Sequence, residues 1–247
     1  KSCISSTKPD LIYYLASSFA VKDLSEFANA VRASLININN LLACLEPGVR
    51  FVYTGSSAQY GTVPISDQPV QENYGFYPVS NYGILKTIEE IELRRMSAKY
   101  DINLVIARIF NITGPGEPTR MVGGAFTSQL IKSRFLKAGN LFPKRDFLDI
   151  RDVASALRLI GEKGISGSSY NVCSGESISI NEFLTEIGNA LNIEPQIEVD
   201  QARINENEIL DLVGNNTKLT ELGWKRKYNL KRTIADLTKS YLDEVNE

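Results

Sequence analysis

Tyr82 and Lys86 stand four positions apart in the run Ser80-Asn-Tyr-Gly-Ile-Leu-Lys86. On a helix, positions i and i+4 lie one above the other on the same face. A phenol and an ammonium are thereby held side by side. The ammonium favours the phenolate, and is expected to lower the tyrosine's pKa towards the range where it can exchange a proton. Upstream, Tyr53-Thr-Gly-Ser-Ser57 reads as the end of a strand. Its Ser56 hydroxyl could hold an oxygen that Tyr82 protonates. Such a set suits oxidation or reduction at a carbinol carbon. The pair alone is weak evidence, because the same spacing arises on ordinary helices with a solvated lysine beside a half-buried tyrosine.

Composition narrows the chemistry further. The chain contains no histidine, which excludes Ser-His-Asp hydrolysis, histidine-ligated metals and a histidine base. Proton transfer therefore falls to Tyr, Lys, Cys, Asp or Glu. Three widely spaced cysteines, Cys3, Cys44 and Cys173, fit free thiols in a reducing, cytoplasmic compartment better than a disulfide frame or a zinc site. A net charge of -2 gives no basic field for nucleic acid or an anionic membrane. The sequence offers no apolar run for a bilayer span or a signal peptide. With 247 residues, the chain has room for one large domain, or one domain with a smaller lobe.

The elements that must position these groups follow from periodicity. Asp10–Leu15 reads as a short buried strand. Residues 24–45 carry a helical period that Pro47-Gly48 breaks. Strands are expected near Arg50–Thr54 and Leu104–Ile109, with a helix over Asn81–Tyr100 between them and a Gly/Pro/Asp-rich loop before it. Strands alternating with helices imply an α/β fold, a doubly wound parallel sheet with helices on both faces. After Gly116 the segments shorten. A helix is expected near 124–133, a strand near 147–150, a helix capped by Asp152, the strand Tyr170–Cys173, a helix capped by Asn181, and a last helix after Leu230. Residues 1–116 read as the first domain, and 117–247 mostly as a smaller α/β lobe with some segments returning to it.

Seven short pieces in order give the pattern a family likeness. They are Leu15-Ala16-Ser17, Ser56-Ser-Ala-Gln-Tyr-Gly61, Pro78-Val-Ser-Asn-Tyr-Gly-Ile-Leu-Lys86, Arg108-Ile-Phe-Asn-Ile-Thr-Gly-Pro-Gly116, Arg145-Asp-Phe-Leu-Asp-Ile-Arg-Asp152, Tyr170-Asn-Val-Cys-Ser-Gly175 and Leu222-Gly-Trp-Lys225. The chain resembles an extended short-chain dehydrogenase/reductase of the nucleotide-sugar epimerase, dehydratase and reductase branch. That resemblance implies a Rossmann-like domain, NADP or NAD as cofactor and a nucleotide-sugar substrate. It also implies a homodimer formed through the helices near 24–45 and 81–100. The apolar positions Ile84, Leu85, Ile88, Ile91, Leu93 and Met96 would serve either that interface or the core.

The same resemblance assigns expected roles. Ser56, Tyr82 and Lys86 match the catalytic set, with Lys86 on the nicotinamide ribose. Leu15, Ala16, Ser17 and Ile109 match cofactor-lining positions. Ser57 and Asn111 match substrate contacts, Asn111 alternatively being a turn residue before Gly114-Pro115. Arg145 matches a pyrophosphate-binding arginine, a role suited to a planar guanidinium. The alternative for it is an ion pair with Asp146 or Asp149. Arg203 is a second phosphate candidate, at a spacing that departs from the family's. Related dehydratases carry a Glu two places after the catalytic Ser or Thr, and here that place is Ala58, so a 4,6-dehydratase is disfavoured. Gly139-Asn-Leu followed by Arg145-Asp146 is similar to the GDP-mannose dehydratase and GDP-6-deoxy-4-keto-hexose reductase subgroup.

The family's glycine-rich dinucleotide turn is not found ahead of Leu15. The expectation is that about two strand-helix passes of roughly 30 residues each precede Lys1. A few residues near Ser133-Arg134 are likewise expected to be missing. The alternative is a member without cofactor, a sensor or scaffold. The activity expected is reduction of the 4-keto group of a 4-keto-6-deoxy sugar carried on a nucleotide, with a 4-epimerase as the rival.

Overall fold

The computed structural model describes residues 2–17, 23–201 and 209–246. A short helix α1 (Ser2–Thr7) precedes strand β1 (Leu11–Tyr14). Helix α2 (Leu24–Leu42) is capped by Asp23, whose carboxylate accepts from Glu26 N at 2.8 Å. Its buried residues Ala30, Ser34, Ile38 and Leu42 recur every four positions and form one inward stripe. Strand β2 (Arg50–Ser56) leads to helix α3 (Asn81–Tyr100), and strand β3 (Asn103–Ile109) follows. Asp101 ends α3 in the left-handed region at φ 53°, a conformation that aspartate tolerates better than most residues.

The second half alternates short strands with helices. It comprises β4 (Asn111–Thr113), α4 (Val122–Lys132), β5 (Phe135–Ala138), β6 (Lys144–Arg145), β7 (Phe147–Asp149) and α5 (Ile150–Lys163). These are followed by β8 (Ser169–Val172), β9 (Ile178–Ser179), α6 (Ile180–Leu191), β10 (Gln196–Val199), α7 (Thr217–Glu221) and α8 (Leu230–Asn246). The α5 cap is Asp149, not Asp152: Asp149 accepts from Arg151 N at 2.8 Å. Asp152 is buried, and its carboxylate takes the backbone N–H groups of Lys227 and Tyr228. Likewise Ser179, not Asn181, caps α6, in a capping box with Glu182.

Among the described residues, the main sheet is parallel, in the order β1-β2-β3-β8. Strand alternation divides it into two faces. Phe51, Tyr53, Leu104 and Ile106 face α2 and α3, packing on Ile38, Leu42, Leu93 and Met96. Val52, Val105 and Ala107 face α5, packing on Ala156, Ile160 and Trp224. A separate core under α4, α6 and α8 contains Phe126, Leu136, Ile187 and Ile234, with Phe147 stacked on Phe183 at 4.2 Å. Strand β8 carries the chain back into the main sheet beside β3. The parallel pair β5–β10, with β4–β7 and β6–β9, builds the second half's own strand layer; the periodicity did not reveal these pairings. No helix of the described residues is long and apolar enough to cross a membrane.

Candidate active site

The carboxyl ends of β1, β2 and β3 open on a cavity of about 600 Å³, within the usual range for small-ligand sites. Parallel α/β sheets place ligands at this edge. Leu15 and Ser17 line it from the end of β1, Ser56, Ser57 and Ala58 from the end of β2, and Tyr82 and Lys86 from α3. Ile109, Asn111 and Arg145 complete the expected set on the wall. Ala16 is exposed beside this wall but is not part of it. Arg203 lies outside the described residues. Asn111 begins β4 and donates its N–H to Asp146 O, so it is a strand residue and not part of a turn.

Two local devices bring Ser56 and Tyr82 together. Ser56 leaves β2 with an extended backbone and starts a one-turn helix, Ser57–Gln59. Its Oγ accepts from Ala58 N at 3.2 Å, while Gln59 Oε1 accepts from Ser56 N at 2.8 Å. On the other side, Ser80 caps α3 by accepting from Gly83 N at 3.1 Å. A Cβ on Gly83 would collide with the Ala58 carbonyl oxygen, so a glycine is needed for α3 to come this close. The Ser56 hydroxyl is close enough to the Tyr82 phenol to favour its ionised form.

Burial pushes the Tyr82 phenol above its ordinary range. The Ser56 hydroxyl pulls it back, and the Glu89 carboxylate adds to the rise. The lowering by Lys86 expected from the i, i+4 spacing is therefore not what the structure shows. Lys86 turns instead to Glu89, with Nζ 2.9 Å from Oε2 and 4.4 Å from the centre of the Tyr53 ring. Burial lowers the Lys86 pKa, while Glu89 opposes that shift.

Behind Ser56 lies a second buried carboxylate, Glu90. Arg108 grips it with one edge of its guanidinium, Nη2 to Oε1 at 2.7 Å and Nε to Oε2 at 3.1 Å. Gln59 Nε2 donates to Glu90 at 2.8 Å, and Arg94 adds two further bonds. Burial raises the Glu90 pKa, but the bonds from Arg108, Gln59 and Arg94 outweigh it and leave the carboxyl below its ordinary value. Arg108 also donates to Tyr60 Oη, which in turn donates to Asn171. Gln59 thus ties the Ser56 backbone to a rigid charged core, and it holds no proton-accepting role. The capping-box spacing from Ser56 to Gln59 is visible in the sequence and could have marked this anchor. The inward placement of Glu89, Glu90 and Arg108 had no such signal.

At the far end of the cavity, Arg145 Nη1 donates to the Ile209 carbonyl at 2.6 Å. Asp146 is buried and accepts from Ser174 N at 2.7 Å, from Gly175 N at 3.1 Å and from Gly214 N at 3.2 Å. Asp149 binds Arg151. Both carboxylates that could have paired with Arg145 are thus engaged elsewhere. Among the described residues of the wall, the carboxylate is Glu117, held by Thr113 Oγ1 at 2.7 Å and Gly123 N at 2.9 Å.

The sequence model of the GDP-mannose 4,6 dehydratase family matches residues 1–237. The chain belongs to that family. It is 27% identical to GDP-6-deoxy-D-mannose reductase of Pseudomonas aeruginosa, over 97% of this chain and 82% of that protein. Identity is also 27% with UDP-glucose 4-epimerase of Mycolicibacterium smegmatis, over 92% of this chain and 74% of the relative. The structure of RMD from Pseudomonas aeruginosa complexed with NADPH superposes with a TM-score of 0.90 at 25% identity, covering 96% of this chain and 83% of that one. Thermus thermophilus UDP-glucose 4-epimerase in complex with NAD shares the fold, with a TM-score of 0.86 at 22% identity over 98% of this chain and 80% of that one. The Rossmann-like α/β fold and the nucleotide-sugar oxidoreductase family read from the sequence both stand.

Proposed function

We propose that the protein reduces the 4-keto group of a nucleotide-linked 4-keto-6-deoxy sugar, with GDP as the nucleotide and NADPH or NADH as reductant. The observation that carries this reading is that Ser56 and Tyr82 line one cavity together, with Ala58, and no carboxylate, two places after Ser56. A proton donor is in place, while the base a dehydratase needs next to the carbonyl is lacking at that position. Glu117 is tied down by its own hydrogen bonds. The likeness to a GDP-6-deoxy-D-mannose reductase supports the choice of sugar and nucleotide.

The donor set fits the nicotinamide end of the cofactor. Leu15 and Ile109 offer apolar wall, and Ser17, Tyr82 and Lys86 offer hydroxyl and ammonium groups to a ribose. When bound, NAD(P)H supplies the hydride that converts the ketone to an alcohol. Tyr82 gives its proton to the carbinol oxygen, and Ser56 holds that oxygen in line. Lys86, paired with Glu89, offers its remaining N–H groups to the cofactor ribose. Ser57 and Asn111 meet the sugar. Arg145 holds the diphosphate by charge-assisted bonds, so that binding energy remote from C4 orients the ring. Arg203 is a candidate for the same diphosphate. Residues 1–116 would hold the cofactor and 117–247 mostly the nucleotide-sugar.

The test is direct. The protein is mixed with a GDP-linked 4-keto-6-deoxyhexose and NADPH, and the absorbance of the reduced nicotinamide is followed. Consumption matching the sugar converted is expected. No consumption, together with interconversion of UDP-sugars at catalytic NAD, would replace this reading by a 4-epimerase, which the relative from Mycolicibacterium smegmatis favours and the same hydroxyl pair would serve. A homodimer through α2 and α3, working in the cytoplasm, belongs to the same proposal. Ile36 and Ile91 are 48% and 57% exposed on these helices and would lie in the interface.

A further inference from the structure

Glu89 carries no role in the chemistry described so far, yet it is fully buried against the floor of the cavity. Four segments converge on its carboxylate. From α3, Lys86 Nζ lies 2.9 Å from Oε2. From β2, Tyr53 donates its hydroxyl to the same oxygen at 2.6 Å. From α2, Ser34 donates a short hydrogen bond to Oε1. From the loop after β1, the Ser17 hydroxyl approaches both oxygens at 3.4 and 3.5 Å. Tyr14 on β1 also feels the carboxylate's charge. Glu90, next on α3, faces the other way, to Gln59 and Arg108. The carboxylate is thus fixed in place from four sides. It stands where the ammonium of Lys86 must be placed.

We infer that Glu89 is a positioning residue that anchors the Lys86 ammonium at the cavity floor and neutralises it, so that Tyr82 keeps its proton until substrate takes it. This rests on the reading of Tyr82 as the proton donor. The i, i+4 geometry by itself would let Lys86 discharge the phenol prematurely. Glu89, one turn further on, prevents this by taking the ammonium for itself. Its charge acts on Tyr82 in the same sense, disfavouring the phenolate. Among the described residues, the groups that act on Tyr82 include Ser56 from the end of β2, Tyr53 from within β2 and Glu89 from its own helix.

The experiment follows the ionisation of Tyr82 in the protein without ligand. Tyrosines labelled with carbon-13 at Cζ are titrated by NMR, and Tyr82→Phe identifies the resonance. In Glu89→Gln, which keeps the size and an acceptor oxygen but removes the charge, the Tyr82 midpoint is expected to move to lower pH by at least about half a unit. Glu89→Asp draws the charge back by one methylene and should move it less in the same direction; it stands in if Glu89→Gln does not fold. Where ketoreductase activity is present, the alkaline limb of the kcat/KM profile moves with the titration. A folded variant whose Tyr82 midpoint stays at the wild-type value overturns the inference and leaves Glu89 as a structural ion-pair partner. The titration needs no sugar or cofactor, so its failure and the failure of the reductase reading are separate results.

Discussion

Replacing Glu90 with glutamine removes one charge from a cluster that the rest of the cluster cannot rearrange to replace. Arg108 is 4% exposed and Glu90 fully buried. In the variant, the Arg108 guanidinium keeps its charge because its pKa lies far above any working pH. One amide oxygen can still accept from Arg108, but the new NH₂ group would point at donors on Gln59 or Arg108. Breaking a buried pair by removing one partner costs about 3–5 kcal/mol. For a chain of this size each kcal/mol moves the melting temperature by about 2–4 °C, so a fall of roughly 6–20 °C is expected in calorimetry. The same variant should lose part of the wild type's acid sensitivity. Glu90 has a folded-state pKa below its ordinary value, so its contribution is full above the unfolded pKa and is lost as pH falls through the folded one. The gap between variant and wild type should therefore narrow below about pH 4.5. A melting temperature within 2–3 °C of wild type, equivalent to about 1 kcal/mol, or a gap that does not change with pH, would refute the account of this network as the support of Ser56.

Four further outcomes are expected. Tyr82→Phe should cut kcat by about 10²–10⁴ while nucleotide-sugar affinity stays within a few-fold; steady-state kinetics with unchanged turnover would remove Tyr82 from the chemistry. Gly83→Ala forces a methyl against the Ala58 carbonyl and should destabilise the protein by about 1–3 kcal/mol, with a loss of turnover beyond what thermal melts explain. Arg145→Met removes a charge-assisted partner and should weaken GDP binding about tenfold or more by calorimetry; equal affinity would take the diphosphate elsewhere. If the proposed homodimer forms through α2 and α3, Ile91→Glu on the outer face of α3 should convert it to a monomer in analytical ultracentrifugation, and a dimer that persists would refute that interface.

The groups that line the cavity were legible because their signals are local. Ser56, Tyr82 and Lys86 sit in short runs whose spacing is meaningful on a strand end and a helix. The sheet faces could be read from β2 and β3, where Phe51 and Tyr53 alternate with Val52. Caps were harder. Asp149 and Asp152 are equally good capping residues one turn apart, and only packing on α8 decides that Asp149 and Arg151 form the helix start. Ser179 was legible in principle, since Glu182 completes its capping box. The fate of Lys86 was not legible. A Lys and a Glu three apart on a helix usually form a solvated pair of little consequence. Here Ser34 and Tyr53, brought in from α2 and β2, turn that pair inward. The apolar positions of α3 misled in the same way: Ile91 faces outward while Glu89 and Glu90 face in.

The return of β8 to the main sheet also shapes how the chain is made. Strand β3 is buried on both faces and hydrogen-bonded along its outer edge by residues 169–172. During synthesis that edge stands open while about 60 further residues emerge, some 3–12 s at common elongation rates of roughly 5–20 residues per second. An apolar strand with an unpaired edge is a template for pairing with another chain. The nascent protein is therefore most vulnerable to aggregation in the interval when the Ser56 and Tyr82 hydroxyls have already been made, and pairing of β8 is the event that closes this edge.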